Sequence, residues 1–421
     1  MKACVRTACG ARKANARAEG RLSFLTMRTS LDEILARTVN GASGVPGVVA
    51  IVTGRDGTLY EGAAGERALG SGVLMTPDTV LALFSCTKAI TAVALMQLVE
   101  EGRVALDDRA DAYVPDIATV PVLDHFAADG TPVLRPPTTP ITLRHLVHHT
   151  AGFAYDFMNA DQRRYGEVTG TRVTSRSTRA WVKTPLAHDP GTGWHYGASI
   201  DWIGFVVEEV RGHRLGDVMR DRIFAPLGMT DAAFYVTPTM ASRVATMHQR
   251  EADGAVVALP GRTVYAPPPL DTGGGGLYAT ARDYAAFMRL FLRDGHGLHG
   301  PVLRPETVAM MVRDGIGDLS TGGWTSTMPT VANSGEFSPG VPKGWAISFQ
   351  VNRAPLPTGR PAGSLMWAGL GNLFYWIDLQ TGIAGFWGTQ LLPFLDPTSY
   401  DGFVAFETAT YRAHGRPDGA S

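Results

Sequence analysis

Leu83-Phe84-Ser85-Cys86-Thr87-Lys88-Ala89-Ile90 holds a Ser-x-x-Lys pair and runs into Thr91-Ala92-Val93-Ala94-Leu95-Met96-Gln97-Leu98-Val99-Glu100 before Gly102. The apolar spacing predicts a helix, with Gly102 as its stop. Residues three apart share one helix face, which sets the Lys88 ammonium beside the Ser85 hydroxyl. A serine needs a neighbouring base to become a nucleophile, and a lysine in an enclosed or cationic setting serves as one. The helix start adds free backbone N–H groups and the positive dipole end, both favourable to a developing anion. This pattern suits acyl transfer. A structural alternative has Ser85 capping a buried helix while Lys88 reaches the surface. The chain has five lysines (2, 13, 88, 183 and 343), and one such pair arises by chance often enough that the rest of the chain has to decide.

At 421 residues the chain is long enough for two or three structural units. Its 38 basic and 39 acidic side chains nearly cancel, giving no nucleic-acid or membrane-surface footprint. No apolar run reaches transmembrane length. Three cysteines (Cys4, Cys9 and Cys86) do not make a disulfide framework, and Cys86 reads as a small packing residue. Residues 1–26 carry six basic side chains against Glu19 and lack an apolar core segment, so they read as a disordered basic extension before a start at Met27. Without a secretory signal, a cytoplasmic location is expected. Residues 414–421 read as a tail.

Ser30-Leu31-Asp32-Glu33 has the capping-box pattern, followed by Ile34, Leu35 and Val39 at helical spacing. Gly47 to Thr53 and Thr58 to Gly62 read as a hairpin around Arg55-Asp56-Gly57. From 116 to 289 the strand signal fades and short helices alternate with Pro- and Gly-rich loops. Ile141 to Phe153 reads as one helix with its stop; its histidines 145, 148 and 149 lack a zincin-type acidic partner and suit carbonyl capping better than metal binding. Asp189-Pro190-Gly191-Thr192-Gly193-Trp194-His195-Tyr196 is a tight loop delivering a tyrosine. Gly273 to Gly276 lacks the Gly-Lys-Ser/Thr ending of a phosphate cradle and reads as close backbone packing near a pocket. A helix is expected at Pro305 to Val312. Strands are expected at Trp345–Val351, Ser364–Trp367, Leu373–Asp378 and Ile383–Gly388, and a last helix over Ser399–Tyr411.

Strands at both ends and helices between predict an α/β (α+β) fold: an antiparallel sheet flanked by helices, built from 27–115 and 290–413, with a mainly helical domain inserted at 116–289. The interface between them is a natural cleft. The aromatic and Gly-rich loops Phe153–Tyr165 and Gly322–Gly344 are expected to line it.

The order Ser85-x-x-Lys88, Tyr196 in its Gly-Trp-His-Tyr loop, then Trp367-Ala368-Gly369 on a late strand resembles the serine β-lactamase/penicillin-binding-protein superfamily. Within it, the pattern is similar to class C β-lactamases and most of all to family VIII carboxylesterases, over about Ser30 to Tyr411. Two departures stand out. The β-lactamase Tyr-x-Asn is Tyr196-Gly197-Ala198 here, and Lys/His-Thr-Gly is Trp367-Ala368-Gly369. The cation that would pair with an antibiotic's carboxylate and the amide that would bond its side chain are both missing, and losing charge-assisted contacts of this kind costs several kcal/mol. A tryptophan in that place implies an apolar pocket. The absent Gly-x-Ser-x-Gly argues against an α/β-hydrolase.

The resemblance implies a serine carboxylesterase (Ser85 nucleophile, Lys88 and Tyr196 sharing its proton) acting on short-chain or small aromatic esters, with weak β-lactam hydrolysis as a side activity. It also implies that Lys88 lowers the Tyr196 pKa, that the N–H groups of Ser85 and Leu370 form the oxyanion hole, and that Trp367, Ala368, Gly369, Phe153, Tyr155 and Ala198 touch substrate. No metal or other cofactor is required, and the only partner expected is a small-molecule ester. Alternatives are an acyltransferase using an alcohol acceptor, a class C-like β-lactamase or D-amino-peptidase, and a catalytically silent scaffold.

Overall fold

The computed structural model describes residues 27–41, 43–171 and 178–414. The basic stretch 1–26 and the tail after 414 lie outside the described residues. The strands are β1 Gly47–Gly54, β2 Thr58–Gly65, β3 Val80–Ala82, β4 Val122–Phe126, β5 Pro132–Arg135, β6 His248–Arg250, β7 Val256–Ala258, β8 Tyr278–Thr280, β9 Lys343–Trp345, β10 Gln350–Asn352, β11 Leu365–Gly369, β12 Leu373–Asp378, β13 Ile383–Gly388 and β14 Leu391–Leu392. The helices are α1 at 27–39, α2 Thr87–Glu100, α3 Leu143–Val147, α4 Ala160–Thr169, α5 Ser199–Arg211, α6 Leu215–Met219, α7 Ala225–Leu227, α8 Ala281–Leu292, α9 Pro305–Met311 and α10 Pro397–His414.

One seven-stranded sheet in the order β2-β1-β13-β12-β11-β10-β9 is antiparallel throughout and takes strands from both ends of the chain. β1, β12 and β13 are buried along their whole length, because both faces of the sheet are covered. Alternation along β12 sorts the faces. Tyr375 meets Tyr284 of α8, while Phe374 and Trp376 meet Phe403 of α10. On β13, Phe386 again faces Tyr284 and Trp387 faces Phe406 of α10. α1 joins α10 on that second face, where Tyr60 bonds Asp32 and packs on Phe406.

Residues 87–98 of α2 are all buried, as a helix apolar on every side requires. α5 packs along it. The polar Gln97 is accommodated by donating to the Arg222 and Val302 carbonyls.

Several sequence expectations change. α1 begins at 27 and not at a Ser30 cap, with Arg28 3.9 Å from Asp32 one turn on. Trp345–Val351 is two strands, not one, because Ser348 takes φ 63° and turns the chain between β9 and β10. The segment 116–289 contains short strand pairs, β4–β5 and β6–β7, and β8 pairs back to β3. Their three- to five-residue length leaves little periodicity to read. α3 is only Leu143–Val147: Thr142 and His145 cap it reciprocally, and His149 at φ 57° takes the chain away. Among the described residues, no helix is long and apolar enough to cross a membrane.

Candidate active site

β3 delivers the chain to Ser85 through a single turn, Phe84–Cys86, at the head of α2. The turn is pinned on both sides: Leu83 N–H donates to the Leu277 carbonyl at 2.8 Å and Tyr284 Oη to the Cys86 carbonyl at 3.0 Å. Phe84 sits at φ 47°, where a bulky residue is strained, and such strain survives only when the surroundings impose it. Ser85 is thereby held half-buried at the rim of a cavity.

Lys88 is 1% exposed. Its Nζ donates to Ser85 Oγ at 3.1 Å, to Tyr155 Oη at 3.2 Å and to the Gly274 carbonyl at 2.6 Å. It also lies 4.8 Å from the centre of the Tyr196 ring, so carbonyl, hydroxyl and aromatic faces replace its water. Gly274 is fixed in turn by Asp201 of α5, whose Oδ1 accepts its N–H at 2.8 Å. A Cβ on Gly274 would stand 2.2 Å from Asp201 Oδ2, so only glycine fits. The glycine run is therefore a close backbone approach that seats the lysine.

Tyr196 arrives on the loop before α5. Gly197 makes this approach feasible, since a Cβ there would meet the Phe153 carbonyl at 2.3 Å. Trp367 of β11 donates from Nε1 to Tyr196 Oη at 2.9 Å. Burial pushes the Tyr196 pKa above the ordinary phenol range, and hydrogen bonds from Ser85 and Trp367 only partly offset that. The expected lowering by Lys88 is therefore overturned: desolvation dominates, and Tyr196 rests as a neutral phenol.

The cavity measures about 390 Å³. Ser85, Trp194, His195 and Tyr196 line one part of it, and Trp367, Ala368, Gly369 and Leu370 another. Phe157 to Ala160 and a loop including Gly322 to Thr325 form further wall, together with Ala154, Phe337, Gln350 and Phe394. Three expected contacts lie elsewhere. Phe153 is fully buried against Trp202. Ala198 is buried at the head of α5, outside the lining. Tyr155 is half-buried and stacked on Phe157, and it places its hydroxyl on Lys88 at the catalytic centre instead of on the cavity lining.

His149 was not singled out in sequence as a site residue. Its buried ring lies 4.9 Å from Tyr196 and 5.3 Å from Trp345, and no hydrogen bond reaches either ring nitrogen. Burial and nearby Lys88 hold its pKa well below the usual histidine value, so it is a neutral buttress. Its position at the end of α3, one residue past His148, was the only available signal. Among the described residues no group of three His, Cys, Asp or Glu is placed to hold a metal ion.

The family model described as Beta-lactamase matches residues 32–409. The chain belongs to that family. Within it, the chain is 33% identical to the lovastatin esterase of Penicillium rubens over 66% of this chain and 70% of the relative. It is 30% identical to the monacolin J acid methylbutanoyltransferase of Aspergillus terreus over 79% and 82%. Among solved structures, a mutant simvastatin synthase (LovD) from Aspergillus terreus superposes with a TM-score of 0.78 at 26% identity, covering 94% of this chain and 96% of that one. The fold is thus that of β-lactamases and penicillin-binding proteins, and the family includes serine hydrolases and acyltransferases.

Proposed function

We propose that this chain is a serine carboxylesterase working through an acyl-enzyme on Ser85. The observation that carries the reading is the contact of Lys88 Nζ with Ser85 Oγ, closed on the far side by Tyr196 held by the Trp367 indole. Lys88 acts after giving up one ammonium proton, and the freed lone pair takes the Ser85 proton as Oγ attacks the ester carbonyl. The N–H groups of Ser85 and Leu370 stabilise the oxyanion. Neutral Tyr196 donates its proton to the departing alkoxide and recovers one by way of Lys88. Water then attacks the acyl-enzyme by the reverse route. Ala198 and Trp367 stand where a β-lactamase carries an amide and a cation, so esters are favoured over carboxylate-bearing β-lactams.

A second reading has support from the relatives: an alcohol, not water, accepts the acyl group, as the name of the Aspergillus terreus methylbutanoyltransferase describes for that protein. One experiment covers both. Hydrolysis of p-nitrophenyl butyrate and of a chromogenic cephalosporin is measured with the intact protein and with Ser85→Ala, without and with a small alcohol. The esterase reading expects butyrate turnover that exceeds cephalosporin turnover and vanishes in the variant. Faster cephalosporin turnover overturns it. A release rate that climbs with added alcohol, with the new ester accumulating in place of free acid, moves the assignment to acyl transfer.

A further inference from the structure

A second cavity of about 350 Å³ shares one lining residue, Leu370, with the first. Its wall also contains Phe84, the residue before Ser85, and Gly275 and Gly276, next to the carbonyl that seats Lys88. Elsewhere it is aliphatic and aromatic: Phe234, Met247, Leu259, Leu270 and Leu392. Its only charged lining residue is Arg262, exposed on the outer loop. The walls are fixed. Tyr278 Oη accepts the Val264 N–H at 3.1 Å, and Arg214 holds the Pro268 carbonyl and Asp271.

We infer that this second cavity takes the aliphatic acyl chain of the substrate, while the first takes the alcohol. The inference rests on the acyl-enzyme reading above. A carbonyl carbon bound at Ser85 has three substituents to place. The oxygen goes to the Ser85 and Leu370 N–H groups, and the leaving oxygen must face its proton donor, Tyr196, which lines the first cavity. The remaining substituent points away from Tyr196, toward Phe84, Leu370 and the glycine run. Gly275 and Gly276 project no side chain into that path. In the step itself, the Ser85 Oγ–acyl bond forms and the bond from acyl carbon to alkoxy oxygen breaks. The serine proton passes to Lys88, and Tyr196 gives one to the leaving oxygen. The chain that stays on the enzyme then lies against a mostly apolar wall.

Phosphonates test this without depending on which acceptor resolves the acyl-enzyme. p-Nitrophenyl phosphonates with an ethyl or an octyl group on phosphorus are compared for their rates of Ser85 modification, read by p-nitrophenolate release and mass spectrometry. The proteins are the intact chain, Leu270→Trp and Leu259→Trp, which fill the second cavity, and Thr325→Trp, which narrows the first. Intact protein should prefer octyl. Both second-cavity variants should lower the octyl-to-ethyl ratio about tenfold, with Thr325→Trp leaving it unchanged. A ratio that is unmoved by the second-cavity variants, or moved only by Thr325→Trp, overturns the inference and leaves the Ser85 reading standing. Absence of any adduct on Ser85 in the intact chain overturns both.

Discussion

The two halves of the site are built differently. The Ser85–Lys88 half is backbone and charge: two hydrogen-bonded anchors hold the turn, and the lysine is seated on a glycine carbonyl that a buried aspartate fixes. The Tyr196–Trp367 half is aromatic: Trp367 meets the tyrosine edge to face, Trp194 stacks on it, and His149 and Trp345 pack tilted against it. In that second half a single indole hydrogen bond reaches the phenol oxygen from β11. The first half keeps the superfamily's residue types, and the second replaces its amide and cation by Ala198 and an indole. Nucleophile activation and substrate recognition can therefore diverge separately. The chemistry of the first half tolerates little change, while the second is free to redefine what is bound.

Breaking the first half should have the largest effect. Ser85→Ala is expected to lower ester kcat by about 10⁶-fold, as removal of a nucleophile does elsewhere. Lys88→Met keeps much of the buried volume but removes the proton acceptor, and should lower kcat by roughly 10²–10⁴-fold. Stopped-flow assay of acylation alone checks both. Retention of burst acylation in Lys88→Met would move the base role to another residue.

Acid should distinguish the halves next. His148, in the turn that carries His149 beneath Tyr196, is buried, and burial lowers its pKa to about 4 despite the Arg144 carbonyl on its Nδ1. Its folded value lies below the ordinary 6.5, so the unfolded chain binds a proton first as pH falls. The neutral ring's contribution to stability is complete above about 6.5 and is lost on the way down to about 4. At 1.36 kcal/mol per pH unit this amounts to roughly 3 kcal/mol. Urea unfolding at several pH values should show that slope in the intact chain and a flatter one in His148→Gln. Equal slopes would place the acid sensitivity elsewhere.

Legibility from sequence follows the same division. Leu373–Asp378 and Ile383–Gly388 were readable as strands to the residue, because unbroken apolar runs between turn signals leave little choice. The Ser85–Lys88 proximity was readable too, since three residues on a helix fix a distance. The second half joins residues 171 positions apart, so no local period announces the Tyr196–Trp367 bond. Only the order of motifs along the chain pointed to it, and that order did not say that the indole N–H would face the phenol. Phe153 misled for a related reason. An aromatic beside a Gly in a loop reads as cleft lining, whereas α5 supplies Trp202 to bury it. His149 was hidden because a histidine at a helix end looks the same whether it caps or packs.

The smallest effect, and the most informative about the second half, belongs to Trp367. Trp367→Phe keeps an aromatic ring against Trp345 and Tyr196 but removes the Nε1 donor. A neutral hydrogen bond is worth about 1 kcal/mol net, so roughly a fivefold fall in kcat is expected, with KM for p-nitrophenyl acetate little changed. The indole bond favours the charged form of Tyr196, so its loss raises the phenol pKa further from neutrality. The alkaline limb of the rate profile, where the proton donor is lost, should shift upward in the same variant. A change in KM with kcat preserved would make Trp367 a wall of the alcohol pocket only. Unchanged kcat and an unchanged alkaline limb would mean that burial alone sets Tyr196, and that the tryptophan replaced the superfamily's cation without inheriting any of its electrostatic task.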